Sequence, residues 1–350
     1  MKGPSAAPVR VGVVGCGVIA YWVHLRLLQH LPGAKLVAAS DPDRAARERA
    51  GTIARIPIVE DAATLFADDE VDAVVICSPT HLHADLAVAA CESGKHVFLE
   101  KPIATNAIDA RRVVEAAASA GVTAMIGFNR RRHPMYEQAR ELIAAGGIGT
   151  VHAVQTGFCE PMTLAEMSPW RQRRESGGGV LLDLASHHID LLRWFLGDEV
   201  ESADARVSSA ESEHDTATVT LGMRNGVVAQ SFYSFRTARA DFMEFIGERG
   251  TLRIDRHEPR FTLKVARRFG YGTRTRRVVP SASAAAWRIR RLVRPSVEPS
   301  YRHSLAAFVD SIRGGPGYVA TFADGARSID VIVAAEASSE AKAPVRVVSY

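Results

Sequence analysis

The first 128 residues of this 350-residue chain alternate short apolar runs with longer amphipathic stretches. The β-rich runs are VRVGVVG, KLVAASD, VDAVVIC and HVFLE, and segments with helical periodicity such as HADLAVAACESG separate them. Short apolar strands separated by helices are typical of a parallel sheet with crossover connections. We therefore predict that residues 1–128 form a Rossmann-type α/β domain with a doubly wound parallel sheet.

A different pattern begins after Asn129 and predicts a second, α+β domain over residues 129–350. The run TATVTLGMRNGVVAQSFYSF alternates apolar and polar residues on both sides of Asn225-Gly226, a pair that type I′ hairpins favour. DFMEFIGERGTLRID repeats the arrangement with Arg249-Gly250 at its bend, and a helix is predicted at about residues 178–196. The second domain is therefore expected to contain a helix followed by a mostly antiparallel sheet.

The composition is typical of a soluble globular protein, because 47% of the residues are hydrophobic and 23% are charged. Four widely spaced cysteines without a C-x-x-C pair argue against a disulfide framework or a zinc site. The N-terminal residues lack the apolar run of a signal peptide, and no run of about eighteen apolar residues predicts a membrane span. We expect a cytoplasmic protein, and the net charge of +4 does not favour nucleic acid as a partner.

The glycine-rich stretch GCGVIA lies between a predicted strand and a predicted helix. It fits the dinucleotide-binding pattern G-x-G-x-x-A, in which glycines let the backbone approach a pyrophosphate at a helix N-terminus. A tight strand-to-helix turn without a ligand is the alternative interpretation. The predicted cofactor contacts of this loop are Gly15, Gly17, Val18 and Ile19.

Asp41 ends the second predicted strand, and this position favours NAD as the cofactor. A carboxylate there accepts hydrogen bonds from the adenosine ribose hydroxyls and repels the 2′-phosphate of NADP. NADP remains an alternative, because Arg44 is close enough in sequence to attract that phosphate. A turn or helix-capping role before Pro42 is the structural alternative for Asp41.

Glu100-Lys101-Pro102 follow another strand of the first domain, in the stretch HVFLEKP. Doubly wound sheets bind ligands in the crevice outside the carboxyl ends of their strands. A lysine in that crevice can donate to a substrate hydroxyl or to the nicotinamide ribose, and it can ease the deprotonation of a nearby hydroxyl. The alternative is that Lys101 is a solvated surface charge.

The stretch SGGGVLLDLASHHIDLLRWFLG places three polar residues on one face of the predicted helix. Asp183, His187 and Asp190 recur at i, i+4 and i+7, and leucines form an apolar face. A histidine one turn from a carboxylate suits acid/base catalysis, since its free pKa lies near neutrality and the neighbour can orient the ring. A half-buried helix with a hydrogen-bonded histidine is the alternative, and we expect His188 to be structural.

Together these motifs resemble the Gfo/Idh/MocA oxidoreductase family nearly from end to end. The matching stretches are GCGVIA, SPTHLHADLAVAACESGKHVFLEKP, GFNRRRHP, GGGVLLDLASHHIDLLRWFLG, SLAAFVDSIRGG and TFADGARSIDVIVAAEASSE. The resemblance implies an N-terminal dinucleotide-binding domain and a C-terminal domain with a large open sheet. It also implies that Lys101 contacts nicotinamide and substrate, that Asp183 binds a substrate hydroxyl, and that His187 exchanges the proton during hydride transfer.

Further candidate contacts come from SPTHLH, which resembles the family loop beside the nicotinamide. Together with the E-K-P turn it gives the candidate cofactor contacts Ser78, Pro79, His83 and Glu100, besides Asp41 and Lys101. The candidate substrate contacts outside the catalytic set are Asn129, Arg130, Trp170 and Arg171. Solvation in a loop is the alternative for the arginines of GFNRRRHP.

Residues 264–303 form a basic, arginine-rich segment that also contains aromatic residues. One interpretation is that it lines the substrate entrance and meets a phosphate, as in a nucleotide-linked sugar, because arginine forks suit phosphate oxygens. A second is that part of it rests on an anionic surface or a subunit interface. A solvated surface excursion is the third.

These inferences predict an NAD(P)-dependent oxidoreductase that acts on a secondary hydroxyl, or the corresponding ketone, of a sugar, cyclitol or sugar derivative. An alternative keeps the cofactor but predicts a glycoside hydrolase that oxidises its substrate transiently. A third interpretation is a non-enzymatic sensor of a dinucleotide or sugar. An open sheet with one face to cover further predicts a homodimer or homotetramer.

Overall fold

The computed structural model describes residues 7–258, 261–266, 273–278, 298–315 and 320–348. These residues form two compact units. The first contains the described residues up to Asn129 and those between Arg294 and Ala326, and the second contains the rest. The chain thus returns to the first unit late in the sequence, a feature that the predicted limits of 1–128 and 129–350 do not include.

The strands and helices are numbered in chain order. The strands are β1 (Val9–Val14), β2 (Ala34–Ser40), β3 (Ile58–Val59), β4 (Ala73–Ile76), β5 (His96–Leu99), β6 (Ala124–Ile126), β7 (Val151–Cys159), β8 (Val200–Ser208), β9 (Thr216–Met223), β10 (Val228–Ser234), β11 (Ala240–Gly247), β12 (Gly250–Asp255), β13 (Phe261–Ala266), β14 (Thr273–Val278) and β15 (Val345–Arg346). The α-helices are α1 (Leu25–Leu28), α2 (Arg44–Gly51), α3 (Ala62–Ala67), α4 (His83–Glu92), α5 (Ala107–Ala120), α6 (Pro134–Ala144), α7 (Ser186–Leu196), α8 (Pro299–Ile312) and α9 (Phe322–Ala341). A π-helical turn, Ala20–His24, precedes α1, and a second, Leu181–Ala185, precedes α7.

The sheet of the first unit has the strand order β3-β2-β1-β4-β5-β6, and all its neighbouring strands are parallel. This is the order of a doubly wound dinucleotide-binding fold, in which ligands bind where the order reverses, beside β1 and β4. Val13 and Val14 of β1 point to opposite faces of the sheet and are 0% and 4% exposed, because helices cover both faces of such a sheet. Leu305 and Phe308 of α8 belong to the same buried cluster. The predicted Rossmann fold is confirmed.

The sheet of the second unit contains nine described strands in the order β14-β13-β12-β11-β7-β10-β9-β8-β15. Every neighbouring pair is antiparallel except β7 with β10, which is parallel. Along β9, Ala217, Val219, Leu221 and Met223 are buried and the residues between them are not. This alternation buries one face of the sheet, and the prediction of a mostly antiparallel sheet is confirmed.

The predicted hairpin at Asn225-Gly226 is present between β9 and β10, but its turn is not of type I′. A type I′ turn needs positive φ at both central residues, whereas only Gly226, at φ 86°, has it. Gly226 N–H donates to Met223 O at 3.0 Å, which closes a three-residue loop with its glycine in the left-handed region. The second hairpin bends one residue earlier than predicted, since Gly247 of β11 pairs with Gly250 of β12.

No helix among the described residues is long and apolar enough to cross a membrane.

Candidate active site

The glycine loop of the first unit connects β1 to the π-helical turn. Gly15 has φ 89°, and a Cβ there would lie 2.8 Å from the backbone nitrogen of Ser78, so only glycine fits. A Cβ on Gly17 would meet no atom within 4 Å, so the backbone is open to a ligand there. Tyr21 N–H donates to Gly17 O at 2.9 Å, so this helical segment begins at Gly17. The backbone N–H groups of its first turn have no carbonyl partner within the helix. These groups, which include those of Val18 and Ile19, favour an anion.

Asp41, at the carboxyl end of β2, holds the glycine loop in place. Its Oδ2 accepts the Cys16 N–H at 2.6 Å, and its Oδ1 accepts the Asp43 N–H at 2.8 Å. The cap of α2 is Asp43, whose side chain accepts from Ala45 N, so the capping role considered for Asp41 belongs to Asp43. Arg44 donates to Glu48 at 2.8 Å. The carboxylate of Asp41 thus lies beside the loop that a dinucleotide would use.

His83 joins the two loops that follow β4 and β5. Its Nδ1 lies 2.6 Å from Pro102 O and its Nε2 lies 2.9 Å from Ser78 O. Burial lowers the pKa of His83, while the two carbonyl contacts act in the opposite direction, because each of them favours an N–H on the ring nitrogen that faces it. His83 is 1% exposed and connects these two loops, and its contact with the cofactor stays a prediction. Pro79 precedes the 3₁₀ turn that leads into α4.

Glu100 and Lys101 lie at the carboxyl end of β5, in the turn that the sequence predicts. Glu100 is buried, and its Oε1 accepts a hydrogen bond from Nε2 of His24 at 2.7 Å. Its Oε2 accepts from Lys101 N at 3.3 Å. Glu100 is therefore engaged inside the first unit, whereas sequence analysis assigns it to the cofactor. The role of His24 could not be predicted from the sequence, since a histidine on an apolar helix gives no sign of a partner 76 residues away.

A dinucleotide fits the residues of the first unit. Gly17 leaves space beside the helix N-terminus, and Asp41 stands at the end of the neighbouring strand. The Ser78 hydroxyl is buried and finds no hydrogen-bond partner in the part of the chain that the structure describes, so it can serve a ligand. The residues that could hold the group are thus Gly15, Gly17, Val18, Ile19, Asp41 and Ser78.

Asp183 and His187 lie on the helix of the second unit that the sequence predicts at 178–196. Asp183 belongs to the π-helical turn and His187 to α7. A π-helical turn contains more residues than an α-helical turn, so Asp183 and His187 are not aligned as they would be in a regular α-helix. Asp183 is 8% exposed, and its Oδ2 lies 3.2 Å from Nη2 of Arg171. His187 is half-buried, with its ring centroid 6.3 Å from that of Phe158 on β7.

The three glycines before this helix bring Arg171 to Asp183. Gly177 has φ 100°, and a Cβ on Gly178 would overlap the carbonyl oxygen of Arg171. The backbone of residues 171–173 therefore packs directly against the glycine run. Trp170 is half-buried, and the Arg171 guanidinium lies 5.4 Å from its ring centroid. Of the predicted substrate contacts, Arg171 thus lies next to Asp183, and Trp170 lies against Arg171.

Arg130 is placed elsewhere than the sequence analysis expects. It is 2% exposed, and its Nη1 donates to Oδ1 of Asp241 at 2.9 Å while its Nη2 lies 2.8 Å from Oδ2. His188 Nε2 lies 3.1 Å from the same carboxylate. Burial lowers the pKa of His188, so its neutral ring donates to Asp241. This internal ion pair replaces the predicted substrate contact of Arg130, and His188 is structural as predicted.

Asn129 and Asp190 are also engaged inside their units. Asn129 is buried and donates from Nδ2 to Ser300 Oγ at 2.9 Å, which replaces the substrate contact predicted for it. Asp190 forms a bidentate ion pair with Arg131, and both side chains are buried. Asp190 therefore does not join the acid/base pair. Most of the predicted basic segment at 264–303 lies outside the described residues.

Two family models match this chain. One, described as an oxidoreductase family with an NAD-binding Rossmann fold, matches residues 9–128, and the GFO/IDH/MocA C-terminal domain matches residues 136–253. Inositol 2-dehydrogenase 3 of Saccharopolyspora erythraea is 32% identical over an alignment of 339 residues that covers 91% of this chain and 91% of its own. A dTDP-3,4-didehydro-2,6-dideoxy-α-D-glucose 3-reductase of Actinomadura kijaniata is 33% identical over 73% of this chain and 77% of its own.

Solved structures share the fold. An oxidoreductase domain protein from Kribbella flavida has a TM-score of 0.84 and 25% identity, over 98% of this chain and 100% of its own. The WlbA dehydrogenase from Bordetella pertussis, solved with NADH and UDP-GlcNAcA, has a TM-score of 0.84 and 24% identity, over 98% and 99%. Fold and site thus define an oxidoreductase with an NAD-binding Rossmann domain. The chain belongs to the Gfo/Idh/MocA family.

Proposed function

We propose that this protein is an NAD-dependent dehydrogenase or reductase that transfers a hydride between nicotinamide and a secondary hydroxyl, or its ketone, on a sugar, cyclitol or sugar derivative. The observation that carries the proposal is the Asp183–His187 pair on one helix, with Arg171 against Asp183. Oxidation of an alcohol needs a base for the hydroxyl proton and an acceptor for the hydride. The pair supplies the first of these, and the NAD-binding unit holds the second.

Each proposed catalytic residue has a distinct part. His187 takes the hydroxyl proton in oxidation and returns it in reduction. Asp183 accepts a hydrogen bond from a neighbouring substrate hydroxyl, while Arg171 orients its carboxylate. The Lys101 ammonium donates to the reacting oxygen and stabilises the charge that develops on it. When bound, NAD accepts the hydride or returns it.

The names of the relatives support the substrate class. They include inositol 2-dehydrogenases, a D-apiose dehydrogenase from Paraburkholderia graminis and a reductase of a dTDP-linked sugar. All of these substrates carry hydroxyl or keto groups on a polyol or sugar. The proposal for this chain therefore stops at that shared class.

The test is nicotinamide absorbance while the purified protein meets NAD or NADP with inositols, free sugars and nucleotide-linked sugars. Steady NAD reduction with one class supports the proposal and names the class. Release of an aglycone from a glycoside without net cofactor turnover would instead indicate the hydrolase. A protein that binds NADH but turns over no member of the panel and no glycoside would indicate the sensor.

We expect Asp41→Ala to lower the preference for NAD over NADP, measured as the ratio of the two kcat/KM values, by about 10- to 100-fold. The loss of a charged hydrogen bond to the ribose, about 1.5–3 kcal/mol, sets that range. Asp43→Ala is the matched control, since it removes the α2 cap two residues away and should leave the ratio unchanged. An unchanged ratio in Asp41→Ala would remove the ribose role.

We also propose that the protein is a homodimer or homotetramer. On β10, Val228 and Phe232 are 43% and 37% exposed, and Phe232 lies on the face of the sheet opposite the buried one. An open sheet that leaves apolar side chains uncovered associates readily. Light scattering that gives a mass of one chain, about 37.8 kDa, would contradict this proposal.

A further inference from the structure

Two buried histidines contact the turn that carries Lys101, one at the residue before the lysine and one at the residue after it. His24 contacts Glu100 through Nε2 and Oε1 at 2.7 Å, and His83 contacts the carbonyl oxygen of Pro102 through Nδ1 at 2.6 Å. His24 is 0% exposed, and it belongs to the π-helical turn that follows the glycine loop. The residues before and after Lys101 are thus each tied to a different helix.

The carboxyl group of Glu100 connects His24 to the backbone of Lys101. Oε1 of Glu100 contacts His24, and Oε2 accepts a hydrogen bond from the backbone nitrogen of Lys101 at 3.3 Å. Gly127 packs against the same carboxyl group, because a Cβ at that position would lie 3.0 Å from Oε2. Phe98 and Tyr301 flank the His24 ring with centroids 5.7 and 6.0 Å away. A hydrogen bond to a carboxyl oxygen is strong in such a buried environment, and it holds the turn in one orientation.

Packing alone does not explain a histidine at this position. In the described part of the chain, Nδ1 of His24 is buried without a hydrogen-bond partner, which an apolar side chain of similar size would avoid. The surrounding helix is otherwise the apolar face that covers the sheet, with Ala20, Leu25 and Leu28 completely or almost completely buried. The histidine is therefore explained by what its other nitrogen does to Glu100.

We propose that His24 is a positioning residue for Lys101, acting through Glu100, and that it links the helix of the dinucleotide loop to the lysine turn. The inference rests on the proposed function for its kinetic consequence. A misplacement of about 1 Å at a reacting group costs about 10²-fold in rate. His24→Leu should therefore lower kcat by one to two orders of magnitude, with the KM for NAD changed less than about twofold.

The first measurement needs no activity. Hydrogen–deuterium exchange of the cofactor-free protein, read on a peptide covering residues 99–103, reports the opening of the turn. We expect faster exchange there in His24→Leu, and near-normal exchange in His24→Gln, which keeps an N–H donor for Glu100. His96→Leu is the matched control, because His96 lies on the same strand but accepts from Thr123 N at 2.9 Å, away from the turn. Unchanged exchange in His24→Leu, or equal acceleration in His96→Leu, overturns the inference.

The second measurement separates positioning from stability. His24→Leu, His24→Gln, Glu100→Gln and the double variant His24→Leu/Glu100→Gln are compared for kcat, KM for NAD and melting temperature. We expect rescue of kcat in His24→Gln and a double variant no slower than the slower single variant, since both act on one contact. Losses that simply multiply, or that follow the melting temperature, overturn the inference. If the wild type oxidises no polyol, the proposed function fails, and the exchange result still decides the placement of Lys101.

Discussion

Replacement of His187 by alanine is expected to lower kcat by about 10²- to 10⁴-fold, the usual contribution of a positioned general base or acid. The protein should still fold and bind NADH, because the half-buried His187 side chain is not part of the first unit. The reason for the loss is that no other group then removes the hydroxyl proton as the hydride leaves. Steady-state kinetics with the substrate found in the panel, together with NADH fluorescence titration, provide the measurement.

His152→Ala is the matched control for that experiment. His152 lies on β7 in the second unit, and its side chain is 63% exposed beside Glu248. Its removal should leave kcat within about twofold, since exposed ion pairs contribute little. If His187→Ala keeps more than a tenth of the wild-type kcat while it folds and binds NADH, another group carries the proton and the assignment is wrong.

The fold of the first unit could be predicted because the sequence patterns that specify it lie within short stretches of the chain. Apolar runs such as VRVGVVG can be buried only in a sheet covered on both faces, and Gly15 and Gly17 mark the loop that follows. The position of Asp41 follows in turn from the length of one β-α-β unit. Periodicity also placed Asp183 and His187 on one helix, although it did not reveal the π-helical turn, which adds a residue to one turn without a sequence mark.

Partners distant in the sequence were not open to prediction. Arg130 meets Asp241 across 111 residues, and Asn129 meets Ser300 across 171. A charged residue in a loop motif has the same appearance in sequence whether it faces a ligand or a buried carboxylate. Only the fold decides between them, and it turned Arg130 inward as part of an ion pair.

That ion pair gives the largest expected effect on stability. Asp241→Ala should lower the free energy of unfolding by about 3–5 kcal/mol, because it leaves the charge of Arg130 buried without its carboxylate. The double variant Arg130→Met/Asp241→Leu should recover part of the loss, since it removes both charges and fills the space but leaves the buried His188 N–H without its acceptor. Glu201→Ala is the control, because its ion pair with Arg346 is exposed and should contribute little.

The same carboxylate should make stability depend on acid pH. Burial alone would raise the pKa of Asp241, but the charge of Arg130 and the hydrogen bond from His188 outweigh it and hold the pKa well below its ordinary value. The unfolded chain therefore takes up this proton at about pH 4, before the folded protein does, so the stabilisation is complete at pH 7 and is lost as the pH falls below about 4. Urea unfolding at pH 7 and at pH 3.5 should show a smaller decrease in Asp241→Ala than in the wild type. Equal decreases, or a loss below about 1 kcal/mol at pH 7, would mean that Arg130 finds another partner and that the pair does not hold the second unit together.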